Sequence, residues 1–135
     1  MLTPLSRRNP ETYSDFYKNL NLNPINADLA RYIDENSIKE AIKNIVLTDR
    51  GERLYQPTIG CDIRKMLFEN VTPDTIILIK ELVSTAISTY EPRASILGVD
   101  VFSSVDQQMI TVTIVFSVIN RQEPISVTIT LDRVR

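Results

Sequence analysis

The side chains that most often carry out catalysis are almost missing from this chain. Histidine is absent, and Cys61 is the single cysteine. A cysteine nucleophile normally needs a neighbouring base, and histidine is both the commonest such base and a common metal ligand. Cys61 could lie near the start of a helix, which would lower its pKa, but a small buried core residue is the better interpretation. We therefore predict neither nucleophilic catalysis nor a metal site.

Carboxylates are the remaining candidates for chemistry, because a pair of them can hydrolyse a glycosidic bond. The acids available are Glu52, Asp62, Glu69, Glu81 and Glu91. Their spacing singles out no pair, and most of them lie where helix caps or solvated faces would place an acid. The chain also has no tryptophan for a sugar-binding groove, and its three glycines are isolated, which excludes a glycine-rich phosphate loop. We expect no enzyme and no cofactor.

One local motif, Glu91-Pro92-Arg93, has an unusual position. Glu91 lies directly after the C-terminal end of a predicted helix, where the helix dipole disfavours an anion. The proline makes the corner rigid, and an arginine can bind a carboxylate or carbonyl groups of a partner through its planar fork. The residues alone favour a simpler interpretation, a helix end with two solvated charges.

Composition limits the class of protein further. The 135 residues are 43% hydrophobic and carry a net charge of −2. These values predict one domain with its own core, and they show no basic block that would bind a nucleic acid. No apolar run reaches the roughly 20 residues needed to cross a membrane. The single cysteine fits folding in a reducing cytoplasm.

The first part of the chain, residues 1–27, is rich in proline and asparagine, and we predict that it is an N-terminal arm. Tyr13, Phe16, Tyr17 and Leu20 have helical spacing, so the arm could be helical or extended. We expect its aromatic residues to anchor it. Residues 28–135 are predicted to form a single domain.

Three helices are predicted within that domain. After a short strand at Asp28–Ile33, a helix begins at Asp34 or Asn36 and ends at Leu47. A short helix spans Asp62–Glu69. The clearest helix spans Pro73–Tyr90, since Thr72 is a good N-cap and proline suits the first helical position.

The last third of the chain changes from a helical to an alternating pattern, which predicts antiparallel strands with one buried face. The apolar positions are Leu97, Val99 and Val101, then Ile110, Val112, Ile114, Phe116 and Val118, and finally Ile125, Val127, Ile129 and Leu131. The links near Asp106-Gln107 and at Asn120–Pro124 have hairpin length. We predict an α+β fold in which helices pack on a C-terminal antiparallel meander of about three strands.

Several short motifs together resemble one protein family. They are Tyr13-Ser14-Asp15, Asp28-Leu29-Ala30, the run from Thr48 to Leu54 with Pro57 and Gly60 after it, Leu67-Phe68-Glu69, and Glu91-Pro92-Arg93. Their order and spacing resemble the baseplate wedge, or sheath-initiator, family of contractile-tailed phages. That family includes relatives in type VI secretion and other contractile injection baseplates, and some members carry a "lysozyme-like" label. The family usually has a glycine where this chain has Ala27.

This resemblance implies a structural subunit of the virion's tail baseplate, present in several copies around the axis. It implies that Glu91, Pro92 and Arg93 dock onto a helical bundle of larger wedge proteins. It also implies that the β-rich part accepts strands from the first ring of the tail sheath protein. An open sheet edge can accept a strand through main-chain hydrogen bonds. We expect this at the last strand, Ile125, Ser126, Val127, Thr128, Ile129, Thr130 and Leu131.

Two alternatives stay open at this point. One is a peptidoglycan hydrolase of the baseplate, as the "lysozyme-like" label suggests. The other is the equivalent adaptor in a bacterial type VI secretion system or another contractile injection system, which the residues do not distinguish from a phage tail. We also expect Glu91 and Arg93 to matter for assembly and little for folding, because charges at a helix end are normally solvated.

Overall fold

The computed structural model describes residues 13–104, 109–119, 121 and 123–132. Five strands and three helices follow one another as β1 (Ser14–Phe16), β2 (Arg31–Ile33), α1 (Glu35–Leu47), α2 (Ile63–Met66), α3 (Pro73–Tyr90), β3 (Ala94–Ser104), β4 (Met109–Val118) and β5 (Pro124–Asp132). The chain divides into two compact units, Met1–Ser37 and Ile38–Arg135. The predicted link at Asp106-Gln107 lies outside the described residues, as does Asn120 in the second link.

The first unit contains a small two-stranded sheet. β1 pairs antiparallel with β2, so that Ser14 is opposite Ile33 and Phe16 is opposite Arg31. The ring of Tyr17 stacks on the ring of Tyr32, with centroids 4.0 Å apart. Of the two alternatives for the arm, the structure therefore has the extended one over Ser14–Phe16. The pairing joins the predicted arm to the residues that follow it, while the predicted boundary after residue 27 stays a prediction.

Ala27 stands in the turn of this unit where the family usually has a glycine. Its φ is 55°, a left-handed conformation that glycine adopts without steric cost. The turn is held by a hydrogen bond from the Ala27 N–H to the Asn23 carbonyl, 2.9 Å, and by one from the Asn23 N–H to the Asp28 carbonyl, 2.7 Å. This position therefore requires a backbone conformation that alanine adopts at a steric cost.

Helix α1 buries one apolar face, as its residue spacing predicts. Ile38, Ile42, Ile45 and Val46 are buried along it. After the helix ends at Leu47, the chain makes a tight loop that returns at Gly60. A Cβ atom at Gly60 would lie 2.7 Å from the backbone nitrogen of Arg50, so only glycine permits this close approach.

Helix α3 begins and ends at the residues predicted from the sequence. The Thr72 side chain accepts a hydrogen bond from the Thr75 N–H, 3.3 Å, which confirms Thr72 as the N-cap. The buried residues of the helix are Thr75, Ile79, Val83, Ala86 and Ile87. The helix exit is closed by a hydrogen bond from the Glu91 N–H to the Ile87 carbonyl, 2.8 Å. Glu91 therefore begins the corner that leads into β3.

The C-terminal sheet confirms the predicted three-stranded meander and the α+β fold. Its order is β3-β4-β5, with both neighbouring pairs antiparallel. Phe116 in the middle strand is opposite Ile96 on one side and Ile125 on the other. The inward residues of the middle strand are all buried: Ile110, Val112, Ile114, Phe116 and Val118.

The predicted alternation is wrong at Leu97. The pairing of β3 with β4 shifts between Ile96 and Gly98, so Leu97 is an extra residue in the strand. Such a bulge reverses which residues face inward on its two sides. Ala94 is consequently buried and Ile96 lies opposite buried Phe116, whereas Leu97 is 59% exposed.

Candidate functional site

The Glu91-Pro92-Arg93 corner contains an internal ion pair. Arg93 Nε donates a hydrogen bond to Glu91 Oε1, 2.6 Å, and Arg93 Nη2 donates one to Glu91 Oε2, 2.7 Å. Both carboxylate oxygens are thus bound by one planar guanidinium, the strongest common geometry for this pair. Pro92 between them is exposed. The backbone continues into the sheet, because the Ile119 N–H donates to the Arg93 carbonyl, 3.2 Å.

The expectation that both charges are solvated is wrong for Glu91, which is only 4% exposed. The helix exit turns its carboxylate inward, and the arginine two residues later covers it. Burial of an anion beside the negative end of the helix dipole requires such a cation. The carboxylate therefore faces its own arginine, and Arg93, whose side chain is 27% exposed, is the more accessible charge of the corner.

A groove of about 1000 Å³ lies next to this corner, between α3 and β3. Pro92 is part of its wall, together with three exposed apolar side chains, Ile77, Leu97 and Ile119. The sequence did not predict this groove. Leu97 is in its wall only because of the bulge, which a simple alternating pattern does not reveal.

The predicted strand-accepting segment, Ile125–Leu131, lies within β5. This strand pairs with β4 on one side, and among the described residues no strand pairs with its other side. Ile125, Ile129 and Leu131 are buried, and Ser126, Thr128 and Thr130 are exposed. The other outer strand of the sheet, β3, is the one that packs beside α3. The sheet thus has two outer strands with different surroundings.

Three of the five acids considered for catalysis, Glu52, Asp62 and Glu91, are engaged in other contacts. Glu52 Oε2 accepts a hydrogen bond from the Asp49 N–H, 3.0 Å. Asp62 Oδ1 lies 3.0 Å from Lys65 Nζ, and this contact lowers the pKa of Asp62. A glycosidase acid needs a raised pKa, so Asp62 has the opposite shift. With the Arg93 fork on Glu91, none of these three carboxylates has the unpaired environment of a glycosidase acid.

Cys61 has the environment of a core residue. It is buried, and this burial raises the pKa of its thiol to about 11. A reactive cysteine has a lowered pKa and some exposure. Over the residues that the structure describes, no group of three or more acids or cysteine could hold a metal ion. Within the same residues, none of the helices has the length and apolar character to cross a bilayer.

Comparison with known proteins identifies the class to which this chain belongs, the baseplate proteins of contractile tails. The sequence model of the family "Baseplate wedge protein gp25" matches residues 34–123. The chain is 37% identical over 100 residues to the baseplate wedge protein gp25 of Enterobacteria phage T4, a match that covers 74% of this chain and 76% of that protein. The chain belongs to the baseplate wedge protein gp25 family, which confirms the resemblance found in the sequence.

Solved structures share the fold. A crystal structure described as a putative tail lysozyme from Geobacter sulfurreducens has a TM-score of 0.69 at 26% identity, over 75% of this chain and 92% of that one. A chain of the anti-feeding prophage baseplate has a TM-score of 0.63 at 14% identity, over 87% and 83%. A chain of the postcontracted pyocin R2 baseplate has a TM-score of 0.53 at 17% identity, over 81% and 95%. The last two show the fold alone.

Proposed function

We propose that this chain is a non-enzymatic structural subunit of a baseplate wedge in a contractile phage tail, located in the virion and assembled in the host cytoplasm. The observation that carries the proposal is membership of the wedge protein family, combined with a corner and a sheet suited to binding. The subunit would be present in several copies around the baseplate axis, and it would need no cofactor, nucleic acid or membrane.

The first proposed interface is the Glu91-Pro92-Arg93 corner, which docks on a helical bundle of larger wedge proteins. Pro92 is exposed and borders the groove with the apolar side chains of Ile77 and Leu97. A helix of a partner could place apolar side chains in such a groove. The Glu91 carboxylate fixes the direction of Arg93, which reduces the entropy that Arg93 loses on binding.

The test of this interface is binding of purified variants to the wedge proteins. Arg93→Lys keeps a positive charge but loses the planar guanidinium that forms two parallel hydrogen bonds. We expect its affinity for the wedge proteins to fall about tenfold or more. Lys80→Arg is the matched control, since Lys80 is a cation that borders the groove and pairs with Asp100 at 3.7 Å, outside the Glu91-Pro92-Arg93 corner. Full binding by Arg93→Lys, with a folded protein, would exclude Arg93 as a docking residue.

The second proposed interface is the outer edge of β5, Ile125–Leu131, which accepts a strand of the tail sheath protein and so templates sheath growth. Each main-chain hydrogen bond contributes only about 0.5–1.5 kcal/mol, so several bonds and side-chain burial must act together. The buried residues of β5 hold the strand in place, and no described strand pairs with its outer side.

Thr128→Pro tests this edge, because proline removes a main-chain donor and cannot continue a ladder. Thr128 is exposed and opposite Thr113, so the substitution should spare most of the core. Thr128→Ala is the control, since it shortens the side chain but keeps the N–H. When a folded Thr128→Pro protein is supplied to baseplates that lack the native subunit, baseplates should form but the sheath should fail to assemble on them. Normal sheath growth would assign the contact to β3 or to the N-terminal arm instead.

A cell-wall hydrolase is the alternative that the "lysozyme-like" label suggests. The paired state of Glu91 and the lowered pKa of Asp62 argue against it. Purified protein should leave the turbidity of a peptidoglycan suspension unchanged, and clearing of the suspension would establish the hydrolase. The physical requirements of the interfaces are the same in a phage tail and in a type VI secretion or other injection baseplate. The neighbouring genes, rather than this chain's residues, therefore distinguish the two systems.

A further inference from the structure

The loop of residues 49–60 presents two large apolar side chains almost completely to solvent. Leu54 is 92% exposed and Tyr55 is 97% exposed. They follow each other at the tip of the loop, in the sequence Arg50-Gly51-Glu52-Arg53-Leu54-Tyr55. Neither proposed interface includes this loop.

The loop is held closed by its own backbone. The Gly51 N–H donates to the Pro57 carbonyl, 2.8 Å, and the Glu52 N–H donates to the Asp49 carbonyl, 3.1 Å. The side chain of Glu52 accepts from the Asp49 N–H at 3.0 Å. The bond from Gly51 to Pro57 joins the two halves of the loop below its tip, and the two Glu52–Asp49 bonds fix the turn in its first half, as in the compact surface loops that often carry function.

Both ends of the loop are also attached to the helical part of the second unit. The Cys61 N–H donates to the Thr48 carbonyl at the end of α1, 3.0 Å. The hydroxyl of Tyr90, the last residue of α3, donates to the Thr58 carbonyl, 2.6 Å. The Arg50 N–H donates to Asp62 Oδ1, 3.0 Å. The base of the loop is therefore held in place before any partner arrives, which limits the entropy that the loop loses on binding.

Contact of the apolar surfaces of an adjacent leucine and tyrosine with water is unfavourable, and polar side chains at the tip would avoid this cost. Tyrosine and arginine are the residue types that contribute most in the centres of protein interfaces. Arg53 adjoins the two apolar side chains, is exposed, and makes no ion pair with any described residue. Arg50 differs, because it is paired with Asp62 at 3.7 Å. The tip thus offers two apolar groups and one unpaired cation.

We propose that residues 53–55 form a third docking element, in which Leu54 and Tyr55 insert into an apolar cleft of a neighbouring baseplate protein and Arg53 pairs with a carboxylate at the rim. The partner is a baseplate protein because the chain belongs to a family of baseplate subunits, and the exposed Arg53 beside the two apolar side chains favours a cleft with an acidic rim. This docking element rests on membership of the family and does not depend on Arg93 or on the β5 edge.

The test replaces the tip residues in full-length protein supplied to baseplates that lack the native subunit. Leu54→Ser and Tyr55→Ser should leave the thermal midpoint unchanged, since both side chains are exposed. Their copy number per baseplate, measured by quantitative mass spectrometry, should fall about tenfold for each single variant. Ile25→Ser is the matched control, because Ile25 is also 92% exposed but lies in the other unit, and it should be incorporated normally.

A photo-crosslinking amino acid at position 55 identifies what the tip contacts in assembled baseplates. The expected crosslink joins position 55 to an apolar segment of another baseplate protein with an acidic residue close to it. Arg53→Glu should then fail to assemble, and a lysine in place of that acidic residue should restore it. Wild-type incorporation of the Leu54→Ser, Tyr55→Ser double variant, a crosslink to a second copy of this chain, or binding of the tip to phospholipid vesicles would each overturn the proposal.

Discussion

Arg93 binds both carboxylate oxygens of Glu91, two residues before it, at 2.6 Å and 2.7 Å. The proline between them keeps the backbone of the corner stiff. A motif that the sequence presents as two separate charges is therefore one paired unit, in which a buried anion orients a more accessible cation. Folding and binding are coupled at this corner, because the group proposed to contact the partner also neutralises a buried charge.

Replacement of Arg93 by alanine should therefore destabilise the protein, contrary to the expectation from the sequence. The Glu91 carboxylate would remain buried without its cation, and the free energy of unfolding in urea should fall by about 1–3 kcal/mol. The partial exposure of Arg93 keeps the figure at the lower end of the range for buried pairs. Glu91→Gln in the Arg93→Ala background should recover part of the loss, because it removes the unpaired charge.

Lys80→Ala is the control for that measurement. It breaks an ion pair with Asp100 that is longer, 3.7 Å, and exposed on both sides. Such pairs contribute about 0–1 kcal/mol. Equal stability of Arg93→Ala and the wild type would show that the Glu91 carboxylate finds water or another donor, and that the corner acts in binding alone.

Gly60 should be the glycine least tolerant of substitution. A Cβ there would lie 2.7 Å from three backbone atoms, in Thr48, Asp49 and Arg50, and its φ is +150°. Gly60→Ala should lower the free energy of unfolding by about 2–4 kcal/mol, since the backbone of the 49–60 loop must move. Gly98→Ala is the control, because nothing lies within 4 Å of its Cβ position and it should change stability by less than about 0.5 kcal/mol. A similar change in the free energy of unfolding for Gly60→Ala and Gly98→Ala would mean that the backbone of the 49–60 loop moves at little energetic cost.

The elements with a strong repeating pattern were predicted well from the sequence. Helix α3 has the predicted bounds because Thr72, Pro73 and Pro92 mark its ends through local backbone chemistry. The strands β4 and β5 alternate strictly and follow that pattern in their burial. In these segments the local sequence and the tertiary packing favour the same conformation.

Other features depend on contacts between residues that are distant in sequence, or on the insertion of one extra residue into a strand. The bulge at Leu97 is set by pairing with β4, so its effect on the groove could not be read from β3 alone. The extended conformation of Ser14–Phe16 depends on pairing with Arg31–Ile33, which overrides the helical spacing of the aromatic residues. The burial of Glu91 depends on the path of the chain after Pro92. The pairing of Glu91 with Arg93 was thus not predicted from the sequence, and the role of the corner in docking stays a prediction.

The turn at Ala27 offers a test of the cost of a positive φ at a residue other than glycine. Ala27→Gly removes the steric cost of a positive φ, and Ala27→Val increases it. The Asn23 N–H donates a hydrogen bond to the Asp28 carbonyl, so amide hydrogen exchange at Asn23 reports opening of the turn. Exchange should be as slow or slower in Ala27→Gly and about tenfold faster in Ala27→Val. Identical exchange in both variants would indicate that this turn is not limited by the conformation of residue 27.

The buried thiol of Cys61 should make the folded protein sensitive to alkaline pH. Burial raises its pKa from 9.0 to about 11, an effect that the nearby Arg50 guanidinium only partly opposes. A group whose pKa is raised on folding stabilises the folded state below its unfolded pKa, and this contribution is lost as the pH rises through the folded pKa. Between pH 9.0 and about 11, the free energy of unfolding of the wild type should therefore fall more steeply than that of Cys61→Ala. Tyrosine and lysine titrate in both proteins and cancel in the comparison. Parallel stability curves over this range would show that the thiol ionises as readily in the folded protein as in the unfolded chain.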